Sequence, residues 1–190
     1  MIFLLCFSVA LVIHVTGDTS CPEVTIVSRA DWGARAPSSP SPALRGQTRV
    51  IFIHHTETSS CTDTATCSAR VREIQSAQME IRHWNDIGYN FLIGNDGNAY
   101  EGRGWGVAGD HTSGGGSREF GIAMIGNYES NLPSEAALNA LDNILKCAVR
   151  KGHLSRRYCL MSHRDTDSRT CPGTAMHNEI ISWPRYCWRW

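Results

Sequence analysis

The chain has 190 residues, and its 18 basic and 18 acidic side chains cancel to a formal net charge of zero. That balance leaves no global field to draw the chain to nucleic acid or anionic lipid, so any ligand must be recognised locally. The length suits a domain with a sizeable core, and no linker, repeat or low-complexity stretch divides it.

Residues 1–17 carry no charged side chain and hold an apolar run from Ile2 to Ile13. The run is too short to cross a bilayer comfortably and is followed by polar sequence, so it reads as a secretory signal peptide spanning about residues 1–19. Residues 20–190 are then one domain, secreted and extracellular, and no other stretch is apolar enough for a membrane span. Of the eight cysteines, Cys6 leaves with the signal. The remaining seven cannot all pair within one chain, and a leftover thiol in an oxidising compartment must be buried, bonded to another chain or bound to metal.

Cys21 to Val27 is a short edge strand or an extended arm, and residues 31–42, rich in Pro, Ser and Ala, form a loop. Arg49 to Thr56 is the clearest strand: Val50, Ile51, Phe52 and Ile53 in succession suit a strand covered on both faces. His54 and His55 stand where it ends. Successive strand side chains point to opposite faces, so one of them can serve a site while the other supports it.

Cys61 and Cys67 enclose a polar loop that a local disulfide would brace. A helix is predicted from about Cys67 or Ser68 to a stop at Gly88, with Val71, Ile74, Ala77, Ile81 and Trp84 on its apolar face. Residues 89–94 and 99–101 read as a hairpin turned at Asn95-Asp96-Gly97-Asn98. Residues 102–118 are glycine-rich, carry Arg103, Trp105 and His111, and have the composition of a site-lining surface loop. Phe120 to Gly126 is another buried strand, and Pro133 to about Lys151 a helix with Leu138, Leu141, Leu145 and Ala148 or Val149 inward. Tyr158 to Ser162 is a short strand leading into His163, and Thr174 to Ser182 a last helix.

This order predicts an α/β fold: a central mixed, mostly parallel sheet flanked by about three helices and braced by disulfides. His54 and His163 each follow the C-terminal end of a strand, where ligands bind in open α/β sheets. His163 also precedes Cys171 across a polar loop. Imidazole nitrogen and thiolate sulfur suit zinc, and the odd cysteine count favours Cys171 as a ligand.

The ordered set His54-His55-Thr56, Trp84-Asn85-Asp86-Ile87-Gly88-Tyr89-Asn90-Phe91, Asp96-Gly97, Tyr100-Glu101-Gly102-Arg103-Gly104-Trp105, His111, His163-Arg164-Asp165 and Cys171-Pro172-Gly173 resembles the short secreted peptidoglycan recognition proteins. These share their fold with the bacteriophage-type N-acetylmuramoyl-L-alanine amidases, and the likeness runs from about Cys21 to Pro184. The resemblance implies a catalytic zinc held by His54, His163 and Cys171, with the fourth position for water, and hydrolysis of the amide joining the lactyl group of N-acetylmuramic acid to L-alanine of the stem peptide. It implies that Tyr89 is a catalytic hydrogen-bond donor, that Arg169 is a catalytic helper, and that His55 packs behind the site. Members that bind peptidoglycan without cutting it commonly carry serine where this chain has Cys171, so the expectation is an amidase of innate defence; the alternative is a non-catalytic, antibacterial recognition protein. Substrate contacts carried over are Trp84, Arg103 and His111. Trp84 and Arg103 accompany a preference for diaminopimelate-type muropeptides, although His83 stands where a glycine is usual, and residues 114–120 depart from the pattern of relatives. For the disulfides, the resemblance pairs Cys61 with Cys67 and Cys21 with Cys147, and subtraction leaves Cys159 with Cys187.

Overall fold

The structure is a computed structural model that describes residues 21–44, 46–112, 119–166 and 168–188. The expected signal peptide and the glycine run at 114–116 lie outside the described residues. Six strands, β1 (Ile26–Val27), β2 (Thr48–His55), β3 (Phe91–Ile93), β4 (Ala99–Glu101), β5 (Glu119–Met124) and β6 (Leu154–Ser162), form one sheet in the order β1-β4-β3-β5-β2-β6. The β3 and β4 hairpin is antiparallel and every other neighbouring pair is parallel. The mixed, mostly parallel α/β sheet is therefore the observed architecture, with three α-helices among the described residues, α1 (Thr64–Glu80), α2 (Glu135–Arg150) and α3 (Thr174–Ile180).

β2 sits between β5 and β6 and is buried on both faces, which is why its centre tolerates only apolar side chains. Ile51 and Ile53 join the larger core beneath α2, whereas Val50 and Phe52 pack with Cys159 and Met161 on the opposite face. The same alternation sends His54 and His55 to opposite sides of the sheet.

α1 starts a turn earlier than its apolar period indicates. The Asp63 side chain caps it by accepting a hydrogen bond from the Thr66 amide at 2.9 Å, so Thr64 to Thr66 are helical despite their polarity. The helix also ends earlier, at Glu80, with Ile81 77% exposed and His83 at a φ of 56°. The buried face uses Gln75 and Gln78 rather than Ala77, Ile81 and Trp84. Gln75 donates to Asp86 Oδ1 at 2.7 Å and to the Arg35 carbonyl at 3.0 Å, and Gln78 Oε1 accepts from the Gly88 amide at 2.8 Å. These bonds occupy the Gln75 amide and the Gln78 oxygen, and residues 81–88, Trp84 among them, lie beyond the helix.

α2 places Leu141, Ile144, Leu145 and Ala148 in the core. Its cap, Ser134, accepts from the Ala137 amide at 3.1 Å and donates to the Asn95 carbonyl at 2.9 Å, which ties the helix to the hairpin turn. Ser134→Ala is expected to lower stability by about 1 kcal/mol, seen as a fall of about 2–4 °C in Tm. A variant that melts with wild type would remove this cap from the account.

β6 is longer than its apolar residues suggest. It is a sheet edge, and its first half carries exposed Arg156 and Arg157, a composition that protects an edge from pairing. Further along, Tyr186 bridges to Leu160 and the Cys159–Cys187 disulfide fastens the C-terminal segment there. Cys21 is joined to Cys147 on α2, and Cys61 to Cys67 at the start of α1. Among the described residues Cys171 is the cysteine outside a disulfide.

Candidate metal centre

The C-terminal ends of β2 and β6 deliver the first two donors side by side. His54 ends the apolar run of β2, and the ring centroid of His163, on the turn after β6, lies 4.4 Å from that of His54. The turn is pinned by the Ser162 amide donating to Asp165 Oδ2 at 2.7 Å, and the Arg164 amide donates to the Cys171 carbonyl at 2.8 Å, which folds the loop back beside its origin. Gly173 completes the return: at a φ of 93° it lies against Tyr128, where a Cβ would come within 2.3 Å of the backbone carbonyl. Cys171 Sγ then accepts from the His55 amide at 3.4 Å and lies 3.7 Å from His54 Nδ1.

One donor atom from each of His54, His163 and Cys171 falls within 4.8 Å of the others. Two donors of a tetrahedral zinc stand about 3.5 Å apart, given bond lengths of about 2.0 to 2.3 Å. The observed separation of Sγ and Nδ1 is close to that distance. Burial, with the neighbouring His111 and His163, holds the pKa of His54 well below its ordinary value, so its ring is the neutral ligand that zinc requires. Burial likewise pushes the Cys171 thiol up to about 12, so the metal-free sulfur keeps its proton. The residues fit zinc in number, chemistry and spacing.

The three donors line a cleft of about 520 Å³, with Trp84, Tyr89, Asp110, Thr112 and Glu57 in its walls and exposed Arg169 on its rim. Tyr89 has its ring centroid 5.3 Å from that of His54. Burial and the nearby Cys171 raise its pKa above the ordinary tyrosine value, so the phenol stays protonated and can donate. His55 points the other way from β2 but still borders the cleft at the strand's end: Nδ1 accepts from the Tyr128 amide at 3.3 Å and Nε2 lies 3.5 Å from Glu57 Oε1 in the cleft wall.

Of the other two expected substrate contacts, Arg103 stands behind the wall of the cleft and His111 lines it. Arg103 does not line this cleft: its side chain is 4% exposed and donates to the Ile87 carbonyl, the Ala108 carbonyl and Asn85 Oδ1 at 2.7, 3.0 and 2.8 Å. A guanidinium engaged in this way braces the wall and reaches the cleft through Asp110, 3.8 Å away. His111 borders the cleft but is 8% exposed, with Nδ1 3.2 Å from His54 Nε2. Glu57, Asp110 and Thr112 had no signal in the sequence beyond standing next to, or two residues after, a histidine.

A family model for N-acetylmuramoyl-L-alanine amidase matches residues 44–174. Peptidoglycan-recognition protein SC2 of Drosophila simulans is 42% identical over 163 residues, covering 86% of this chain and 88% of its own. The chain belongs to the peptidoglycan recognition protein family. An N-acetylmuramoyl-L-alanine amidase of Sus scrofa is 46% identical over 171 residues, 87% of this chain, but the chain spans only 28% of that relative's length. Among solved structures, peptidoglycan recognition protein LE in complex with tracheal cytotoxin, a monomeric diaminopimelic acid-type peptidoglycan, superposes with a TM-score of 0.84 at 39% identity, covering 86% of this chain and 96% of that one. The family thus contains members named for cutting and members named for recognition, and the donor set at the floor of the cleft is what this member brings to that distinction.

Proposed function

We propose that this peptidoglycan recognition protein is a secreted zinc-dependent N-acetylmuramoyl-L-alanine amidase, its signal peptide ending near residue 19 and residues 20–190 forming one domain. The observation that carries the reading is the convergence of His54, His163 and Cys171 at the floor of an open cleft. When bound, zinc supplies an activated water and Lewis acidity toward the amide carbonyl. The side chains around it do the rest. His54 and His163 hold the metal as neutral donors and Cys171 as a thiolate. Tyr89 donates a hydrogen bond to the negative charge that develops on the carbonyl oxygen, and Arg169 adds positive charge from the rim. Trp84 offers an aromatic surface to the muropeptide, while Arg103 and His111 support the wall from behind.

The substrate is bacterial peptidoglycan with a diaminopimelate-type stem, a reading supported by the ligand of recognition protein LE. The second reading, a protein of innate defence that binds without cutting, is supported by relatives named for recognition alone. Cys171 favours the amidase, because a non-cutting protein has no need of a free, half-buried thiol opposite two histidines.

Chelation tests the reading. Stem-peptide release from purified peptidoglycan should vanish when the protein is stripped of metal and return with one equivalent of zinc; release that survives stripping would refute it. Metal uptake should also depend on pH. The free thiol is protonated through the neutral range and zinc takes the thiolate, so each ion bound expels at least the thiol proton, whereas neutral His54 has none to lose. Affinity should therefore rise by at least about tenfold per pH unit through neutrality. Calorimetry in buffers of different ionisation enthalpy checks this, and uptake without proton release would contradict a thiolate ligand.

A further inference from the structure

An imidazole that binds a metal presents one bare nitrogen, and the hydrogen bond made by the other nitrogen decides which one is bare. In His54 the two nitrogens face different partners. Nδ1 lies 3.7 Å from Cys171 Sγ, and Nε2 lies 3.2 Å from His111 Nδ1. We propose that His111 is a positioning residue: its Nδ1 accepts the Nε2 proton of His54 and thereby turns the bare Nδ1 of His54 toward Cys171 and His163. The inference rests on the zinc reading above.

The surroundings of His111 suit that role. It is buried against Gly109 and Gly121, where a Cβ at either position would come within 2.2 Å of His111 Cδ2, so its ring fits only because both residues lack side chains. Phe52, on the same face of β2 as His54, has its ring centroid 6.2 Å from that of His111. The second polar neighbour of Nδ1 is Thr112 Oγ1 at 2.8 Å; with Nδ1 bare, its single lone pair is shared between that hydroxyl and the Nε2 proton of His54 in a three-centre hydrogen bond. In the opposite tautomer His54 would point an N–H at the thiol, and no lone pair would face the metal donors.

The test uses the full chain and zinc alone, with affinity measured by competition against a chromophoric chelator. His111→Asn keeps an acceptor oxygen at the position of Nδ1, His111→Gln shifts the amide toward the position of Nε2, and His111→Ala removes it. The expected result is a loss of about 10- to 100-fold in zinc affinity for the alanine and glutamine variants and near wild-type affinity for asparagine. If the alanine variant does not fold, the contrast between asparagine and glutamine decides. Long-range nitrogen–proton NMR of metal-free wild type should find His54 protonated at Nε2. Equal zinc affinity in all variants, or a wild-type His54 protonated at Nδ1, overturns the inference and leaves the zinc reading standing. A wild type that binds no zinc overturns that reading, and this inference with it.

Discussion

Cys171→Ser should abolish stem-peptide release, by on the order of 10³-fold or more, while leaving the fold and peptidoglycan binding in place. A serine hydroxyl is a far poorer zinc ligand than a thiolate, so two imidazoles would be left to hold the ion. The substitution should otherwise be mild. Cys171 is outside any disulfide, it is half-buried, and its sulfur makes only long contacts, accepting from the His55 amide at 3.4 Å, donating to the His55 carbonyl at 3.9 Å and lying 3.7 Å from His54 Nδ1. The turn that carries it is fixed by Arg164 and by Gly173 seated on Tyr128, neither of which depends on sulfur. Zinc content, Tm and muropeptide binding measured on one preparation separate the effects. A serine variant that still cuts at the wild-type rate would show that the triad does not carry the reaction.

Tyr89→Phe should cost about 10²- to 10³-fold in kcat with little change in KM. The phenol stands beside His54 and is protonated through the working range, so it is available as a donor when charge builds on the substrate oxygen. Phenylalanine preserves the ring and its packing and removes only that donor. Because burial raises the pKa of Tyr89, no loss of activity should trace to its ionisation at neutral or mildly alkaline pH. Unaltered kcat would assign Tyr89 to packing alone; a rise in KM with kcat preserved would assign it to binding.

Much of the architecture follows from patterns visible along the chain. The apolar runs of β2 and β5, the turn residues of the β3 and β4 hairpin, and the apolar period of α2 each report a local preference that the tertiary structure did not need to override. α1 departs from its apolar period at both ends for one physical reason: polar hydrogen bonds, at an exposed cap and on the buried face, set its limits. Asp63 caps the first turn, and Gln75 and Gln78 occupy the inner face, so an apolar period gave the wrong start and assigned Trp84 to a helix it does not join. β6 extends beyond its apolar residues because an exposed edge needs none.

The site divides in the same way. His54, His163 and Cys171 could be singled out because strand ends and cysteine parity leave traces in a sequence. The arrangement behind them leaves none: nothing local tells that Arg103 is engaged by two carbonyls and Asn85, or that His111, packed against Gly109 of its own loop and Gly121 of β5, meets His54. Such relations depend on side-chain direction in three dimensions, and composition is blind to them.

The most direct measurement is mass spectrometry of the products formed when the zinc-loaded protein acts on a defined diaminopimelate-type muropeptide. The account predicts two products, N-acetylmuramic acid with a free lactyl carboxylate and a stem peptide that begins with a free L-alanine amine. Muropeptide that is bound and recovered whole, or cut at any other bond, would contradict it.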